Sequence, residues 1–337
     1  GKKLEIISRD DNARPADAVK IAEEMVTRDK VVMLTGTFLS NIGLAVADFA
    51  NQRKVLFLAS EPLTDAIVWE NGNPYTFRLR PSTWMQASML AKEAVKQKKK
   101  RWATVAPNYA YGQDAVKAFK AVMKELDPSV EFVAEQWPAL GKIDAGATAR
   151  ALEAAKPDAI YNVTFGPDLI AFAREGNLRG LFEGRLMLGI LTGEPEYMDP
   201  LKTETPKGWI VTGYPAADIK DAAHKAFFDA YVKAWNEPPK VGSIVGYNTM
   251  LSIAAMLRKT GGNTDTDTMI KAMKGLEVDA PTGRFVYRAA DHQSTMGAWV
   301  GKTDVKDGVG LMVDWTYAKG EDHLPSEEAA AKLRPKN

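Results

Sequence analysis

The residues of this chain that could do chemistry lie in polar breaks that follow short apolar runs. Gly36-Thr37-Phe38-Leu39-Ser40-Asn41 sets hydroxyls and free backbone N–H groups at the start of a helical pattern. That arrangement suits a carboxylate or another anion, because the first N–H groups of a helix lack partners and carry its positive dipole end. Taken alone, Ser40 or Thr37 could simply be an N-cap. Ser60-Glu61-Pro62-Leu63-Thr64-Asp65 follows the next apolar run, where Thr64 or Asp65 could cap in the same way. Pro107-Asn108-Tyr109-Ala110-Tyr111-Gly112-Gln113 is harder to read as a cap alone, since capping needs only the asparagine and leaves two tyrosines unexplained. Thr164-Phe165-Gly166-Pro167-Asp168 and Leu191-Thr192-Gly193-Glu194-Pro195-Glu196-Tyr197 continue the series. Open α/β sheets bind ligands at the C-terminal ends of their strands, so breaks at equivalent positions in two lobes suggest two facing rims of one cleft.

Catalytic spacing is absent. There is no Gly-x-Ser-x-Gly elbow and no Gly-x-Gly-x-x-Gly turn. Gly301-Lys302-Thr303 ends like a phosphate loop, but Met296 stands where its first glycine would be, and the segment reads as a β-turn. His224, His292 and His323 show no metal-ligand spacing. His292 has Asp291 and Ser294 beside it, yet triad partners meet through the fold, and a polar hairpin turn is expected there. With no cysteine, thiol catalysis and Cys-ligated zinc are excluded, and an oxidising compartment is suited. No metal and no cofactor are expected. A net charge of +1 offers no field for a phosphate backbone, so nucleic acid is not an expected partner. No apolar run is long enough to span a bilayer, and Gly1-Lys2-Lys3 leads into a charged stretch with no signal-peptide core.

The elements that must position these breaks follow a βα rhythm. Strands are expected at Leu4–Ser8, Val31–Gly36, Val55–Ala59 and Tyr75–Leu79, with helices at Pro15–Arg28, Ile42–Asn51 and Met85–Lys98. Lys98-Lys99-Lys100-Arg101 reads as a solvated helix end. The rhythm restarts with strands at Trp102–Ala106, Val130–Glu135, Ala159–Val163, Leu186–Ile190 and Trp209–Val211. Helices at Gln113–Leu126, Ala145–Ala155 and Leu169–Asn177 alternate with them. Helices then dominate at Asp221–Trp235, Ser243–Lys259 and Asp267–Lys274. The tail reads as strands Gly283–Arg288, Ser294–Val300 and Met312–Tyr317, with Lys302–Gly310 as a polar turn. A restart of this kind argues for two α/β lobes.

Several of these segments resemble a known family. Asp10-Asp11-Asn12 with Pro15, Asp17 and Ala18, then Val31 to Gly36, Ser40, Ala45-Val46 and Tyr111-Gly112, are similar to the type I periplasmic binding proteins. The chain is most similar to their leucine/isoleucine/valine-binding group, the extracytoplasmic receptors of ATP-binding-cassette (ABC) importers. The order and spacing also match at Phe77-Arg78-Leu79-Arg80-Pro81-Ser82 and at Gly246-Tyr247-Asn248. The resemblance implies two Rossmann-like lobes joined by three hinge crossovers, closing on a ligand. Ser40 then matches the helix-start serine that takes a ligand carboxylate, and Ser60, Leu63 and Thr64 lie in the loop serving the same end. Tyr111 matches the tyrosine of the Tyr-Gly motif, Phe165 or Gly166 an aromatic position, and Glu194 the glutamate that pairs with a ligand ammonium. Phe38, Asn108, Tyr109, Gly193 and Tyr247 complete the expected ligand-binding set. Two departures favour the carboxylate half of that site. The 60–64 loop differs from the family's Pro-Ala-Ala-Thr form, and Gly193-Glu194-Pro195 stands where many relatives read Gly-Pro-Glu. The family also begins with a strand, a loop and a helix ahead of the segment that Gly1 to Asn12 resembles, so a preceding segment is expected in the native protein.

The fold expected is therefore α/β, with lobe 1 from residues 1–80 and 216–305 and lobe 2 from 82–212 and 306–337. The function expected is non-enzymatic: a periplasmic, monomeric binding protein that captures a small hydrophobic carboxylate and delivers it to a membrane permease. The carboxylate would be an aromatic acid or a branched-chain amino acid. The alternatives are a ligand-sensing regulator of the same fold, or a hydrolase or ligase using carboxylates such as Asp65 or Glu194.

Overall fold

The structure is a computed structural model and describes residues 3–335. Contacts divide the chain into two compact units: residues 1–82, 242–296 and 324–337 form unit 1, and residues 83–241 and 297–323 form unit 2. These limits differ from the expected ones. Residues 216–241 and 297–305 belong to unit 2, and the C-terminal stretch from 324 belongs to unit 1. Strand pairing accounts for residues 297–305: the long hairpin near the C-terminus adds to the sheet of unit 2.

In unit 1, β1 (Met33–Gly36), β2 (Leu56–Ala59) and β3 (Thr76–Arg78) form a parallel sheet in that order. Helices α1 (Pro15–Thr27) and α2 (Ser40–Arg53) pack on one another beside it. Residues 55–59 are wholly buried, which is why that run carries no polar alternation: a parallel strand is covered on both faces. α9 (Val241–Lys259), almost all of it in unit 1, and α10 (Thr266–Met273) follow. The two-residue strands β9 (Glu277–Val278) and β10 (Phe285–Val286) make a small antiparallel ribbon.

Leu4–Ser8 is not a strand. It has no ladder partner among the described residues, Leu4 and Ile6 stay 44% and 69% exposed, and among those residues β1 pairs only with β2. Alternating apolar residues give a strand pattern, but a strand exists only where a neighbour takes its N–H and C=O groups. A groove of ≈ 320 Å³ lined by Leu4, Ile6, Met25, Val32, Met250 and Leu257 lies alongside.

In unit 2, α3 (Thr83–Ala94) precedes β4 (Arg101–Val105), α4 (Ala110–Leu126), β5 (Glu131–Gln136), α5 (Ala145–Ala154), β6 (Ala159–Asn162) and α6 (Gly166–Arg179). Then come β7 (Leu186–Gly193), α7 (Pro195–Leu201), β8 (Ile210–Gly213) and α8 (Ala222–Trp235). The hairpin β11 (Ala298–Lys306) and β12 (Val309–Ala318) completes a seven-stranded mixed sheet, ordered β12-β11-β8-β7-β6-β4-β5. Most of Lys302–Gly310 is therefore strand and not turn, and Gly301-Lys302-Thr303 lies inside β11. The polar residues of this segment sit on a partly exposed hairpin, where the outward face of an antiparallel pair is hydrophilic. The core of the unit holds Trp102, Phe119 and Tyr161, with the last two rings stacked at 4.1 Å. C-terminal α11 (Glu327–Leu333), capped by Ser326, rests in unit 1.

His292 forms no triad. Its Nδ1–H donates to the Thr76 carbonyl at 2.9 Å and its ring stacks on Phe77 at 3.9 Å, while Ser294 Oγ donates to the Leu79 carbonyl. It occupies a turn, as expected, but a buried one with a φ of +62°.

Candidate functional site

On unit 1 the sequence-derived residues gather around the first turn of α2. The N-cap is Leu39, with no side-chain cap, and Ser40 is the first helical residue. Ser40 is buried, and its Oγ accepts from the Leu63 and Thr64 N–H groups at 3.3 and 3.2 Å. Ser40 therefore ties the 62–64 loop to the helix start and does not cap its own helix. Arg78, fully buried, holds the same loop from its other side, donating to the Thr64 and Pro62 carbonyls and to Gln293 Oε1 at 2.5 Å. Ser60 sets the start of the loop through its N–H to the Gly36 carbonyl at 3.2 Å. In the same turn Thr37 Oγ1 and Asn41 Oδ1 are buried with no hydrogen-bond partner among the described residues, and Thr37 is held at a φ of +47°. A buried polar atom without a partner costs about 1–3 kcal/mol, and a left-handed non-glycine residue adds to it. Such costs concentrate where a ligand supplies the missing partner. Phe38 and Tyr247 stand half exposed, 51% and 45%, on the same unit.

On unit 2 the expected residues form an aromatic wall at the ends of β4, β6 and β7. Tyr109 is the N-cap of α4 without a side-chain bond, and Asn108 accepts from Gln113 Nε2 at 3.1 Å instead of capping. Tyr111 is buried, its ring 5.9 Å from Tyr109 and edge-on to Phe165 at 5.6 Å. Its hydroxyl is buried with no partner among the described residues. Burial pushes the Tyr111 pKa well above the usual phenol range, with Tyr161, Tyr109, Tyr197 and Glu194 adding to the rise. The hydroxyl therefore keeps its proton and can donate it. Phe165 is the N-cap of α6, with Gly166 next at a φ of +57°.

Glu194 is buried at the N-cap of α7, 4% exposed. It is presented by an irregular strand end: the β7–β8 register shifts between Gly189 and Gly193, and Leu191 sits at a φ of +66°. Leu191 N–H donates to Thr212 Oγ1 at 2.9 Å, and the Glu194 N–H returns to the Leu191 carbonyl at 2.9 Å. Gly193 and Gly213 face each other so closely that a Cβ on Gly213 would run into the Gly193 carbonyl group. Gly213→Ala is expected to push this strand end apart, at about 1–3 kcal/mol of overpacking. Thermal unfolding should show the loss, and wild-type stability would mean the contact yields freely.

Sequence reasoning missed Asn41, Arg78 and Asp168 as parts of these two clusters. Asn41 and Asp168 look like ordinary first-turn residues, and Arg78 lies in a strand where only burial shows its use. No group of three or more His, Cys, Asp or Glu side chains able to hold a metal occurs among the described residues.

Residues 1–308 match the family described as periplasmic binding protein. The chain belongs to that family. Among curated relatives of this periplasmic binding protein is the Leu/Ile/Val-binding protein homolog 6 of Brucella melitensis biotype 1, 26% identical over 287 residues, or 83% of this chain and 72% of the relative. Among solved structures, a solute-binding protein of an ABC transporter from Rhodopseudomonas palustris BisB5, in complex with 3,4-dihydroxybenzoic acid, is 27% identical with a TM-score of 0.82. The match covers 94% of this chain and 87% of that one. The closed leucine-, isoleucine-, valine-, threonine- and alanine-binding protein of Brucella ovis is 18% identical, with a TM-score of 0.84 over 96% and 87% of the two chains. At that identity the likeness is one of fold.

Proposed function

We propose that this chain is the solute-binding component of an ABC importer, working outside the cytoplasm without catalysis, and that its solute is a small apolar carboxylate. The observation that carries the reading is the first turn of α2. A helix start with no side-chain cap lies beside a buried serine and the buried, unpartnered Thr37 hydroxyl, which can donate to an anion. That is a polar cradle for an anion, its loop held by the buried Arg78 guanidinium. The wall of Tyr109, Tyr111 and Phe165 then suits the apolar body, and its tilted and edge-on rings favour an aromatic acid. Glu194 supports a second ligand class, since a buried carboxylate suits the ammonium of a branched-chain amino acid. The relatives point both ways, to a benzoic acid derivative and to Leu/Ile/Val. A membrane permease would receive the solute.

A thermal-shift screen of benzoates against leucine, isoleucine and valine tests this. A ligand at about 100 times its Kd adds roughly 2.7 kcal/mol of stability, a rise that is easily seen. Ser40→Ala should then weaken the carboxylate that binds by about 1–3 kcal/mol, since a charged acceptor loses one hydrogen bond. Calorimetry showing unchanged affinity would remove Ser40 from the site, and no response to any carboxylate would remove the ligand class. Turnover of a bound acid on long incubation would point to an enzyme instead.

A further inference from the structure

Asp168 stands three residues beyond the N-cap of α6 and is 3% exposed, yet its carboxylate is spent on a loop at the surface. Its Oδ2 accepts from the Gly141 N–H at 2.7 Å and its Oδ1 from the Ile143 N–H at 3.2 Å. Gly141 and Lys142 are exposed, so the loop has little apolar burial to hold it there. Gly141 has a φ of +72°, a left-handed conformation that costs glycine little. At its other end the same loop accepts from the Asn108 N–H through the Pro138 carbonyl at 2.8 Å. Asn108 and Asp168 belong to the two turns that carry Tyr109 and Phe165, whose rings flank Tyr111. Asp144 then caps α5 through Ala147 N–H at 2.8 Å and fixes the loop where it ends.

We propose that Asp168 is a positioning residue for ligand recognition, and that the 138–143 loop is a strap through which it locks the β4–α4 turn to the β6–α6 turn and so sets the spacing of the aromatic wall. The proposal rests on the reading of that wall as the ligand's apolar wall. A carboxylate used only to complement the dipole of α6 could face water, where its charge is cheap. Here it is desolvated and aimed at two backbone amides of a segment that touches the neighbouring turn. The pairing of β4 with β6 sets the two turns side by side, and the strap ties them together beyond the strand ends.

The test combines residue-resolved hydrogen exchange with binding, on the intact protein. Asp168→Ala should raise exchange about tenfold or more at Gly141 and Ile143, which lose their acceptor, and also at Asn108, whose bond is only coupled to it. Asp168→Asn keeps one acceptor oxygen and should recover part of the protection. Protection at Asn108 that stays at the wild-type level in Asp168→Ala would show that the strap does not couple the turns and would overturn the proposal. With benzoate and leucine as probes, the one that wild type binds should lose affinity about tenfold in Asp168→Ala, with Asp168→Asn in between. Unchanged affinity beside a large fall in Tm would mark Asp168 as a purely structural residue and would equally overturn it. If wild type binds no carboxylate in the screen, the ligand class proposed above fails, while the exchange at Asn108 still decides whether the strap exists.

Discussion

Asp291→Ala is expected to cost about 3–5 kcal/mol of the stability of unit 1, the penalty for stripping one partner from a buried ion pair. Asp291 is fully buried and takes both Nε and Nη2 of Arg288, itself 8% exposed, in a forked pair. It also accepts from Trp69 Nε1 at 3.1 Å and from the Gln293 N–H at 3.3 Å. Its carbonyl receives Arg334 Nη1 at 2.7 Å, and the same guanidinium reaches the carbonyls of Val68 and Asn73, each at 3.0 Å. The variant would leave the Arg288 charge desolvated without a counter-charge and Trp69 without its acceptor. It would also loosen the segment from Val68 to Asn73, which continues directly from the loop tied to Ser40. Two readouts should therefore move together: the urea midpoint falls, and the affinity for whichever carboxylate binds falls with it. Asp291→Asn, which still accepts from the indole but carries no charge, should lie between wild type and alanine. A loss under about 1 kcal/mol in Asp291→Ala would show that Arg288 finds another partner, as exposed pairs readily do.

What the sequence disclosed follows from which residues are buried. The strands at Leu56–Ala59 and Ala159–Asn162 were legible because parallel strands covered on both faces read as unbroken apolar runs. Leu4–Ser8 shows the limit of that logic, since periodicity speaks of one segment and pairing needs two. β11 and β12 were partly hidden for the opposite reason: Lys302, Asp304 and Lys306 lie on a hairpin with an open face, and polar residues on such a face look like turn. α7 escaped because it is short and carries Pro200. At the candidate site, residue types marked the turns but not the side-chain contacts within them. Ser40 and Asn108 both read as caps, whereas the caps are Leu39 and Tyr109, and each polar side chain is tied to another group nearby. The aromatic wall was legible as excess, two tyrosines where a cap needed none. The buried carboxylate that accepts from the Gly141 and Ile143 amides was not, because Asp168 in a first helical turn looks like any dipole-complementing acid.

Acidification provides the second large effect, through histidines that are buried uncharged. Burial, with the Arg334 and Lys274 cations, pushes the His292 pKa down to about 3, against weaker opposing contributions from the Thr76 hydrogen bond and Asp291. Burial, together with Lys92, takes His323 down to about 4, and burial lowers His224 as well. A histidine whose folded pKa lies below its unfolded value binds more protons when unfolded, so stability rises with pH across the interval between the two. The contribution of His292 is complete above about pH 6.5 and drains away as pH falls towards 3. By pH 4 the loss amounts to about 3 kcal/mol, at 1.36 kcal/mol for each pH unit below the unfolded pKa. Phe77 stacks face to face on the ring and Thr76 occupies Nδ1, so neither offers a counter-charge to an imidazolium. His292→Asn isolates this group, because asparagine accepts the left-handed backbone at this position and does not titrate. Urea unfolding at pH 7 and pH 4 should show a large loss in wild type and a smaller one in the variant, the remainder belonging to the other two histidines and the carboxylates. Equal losses in the two proteins would show that His292 takes up its proton without unfolding.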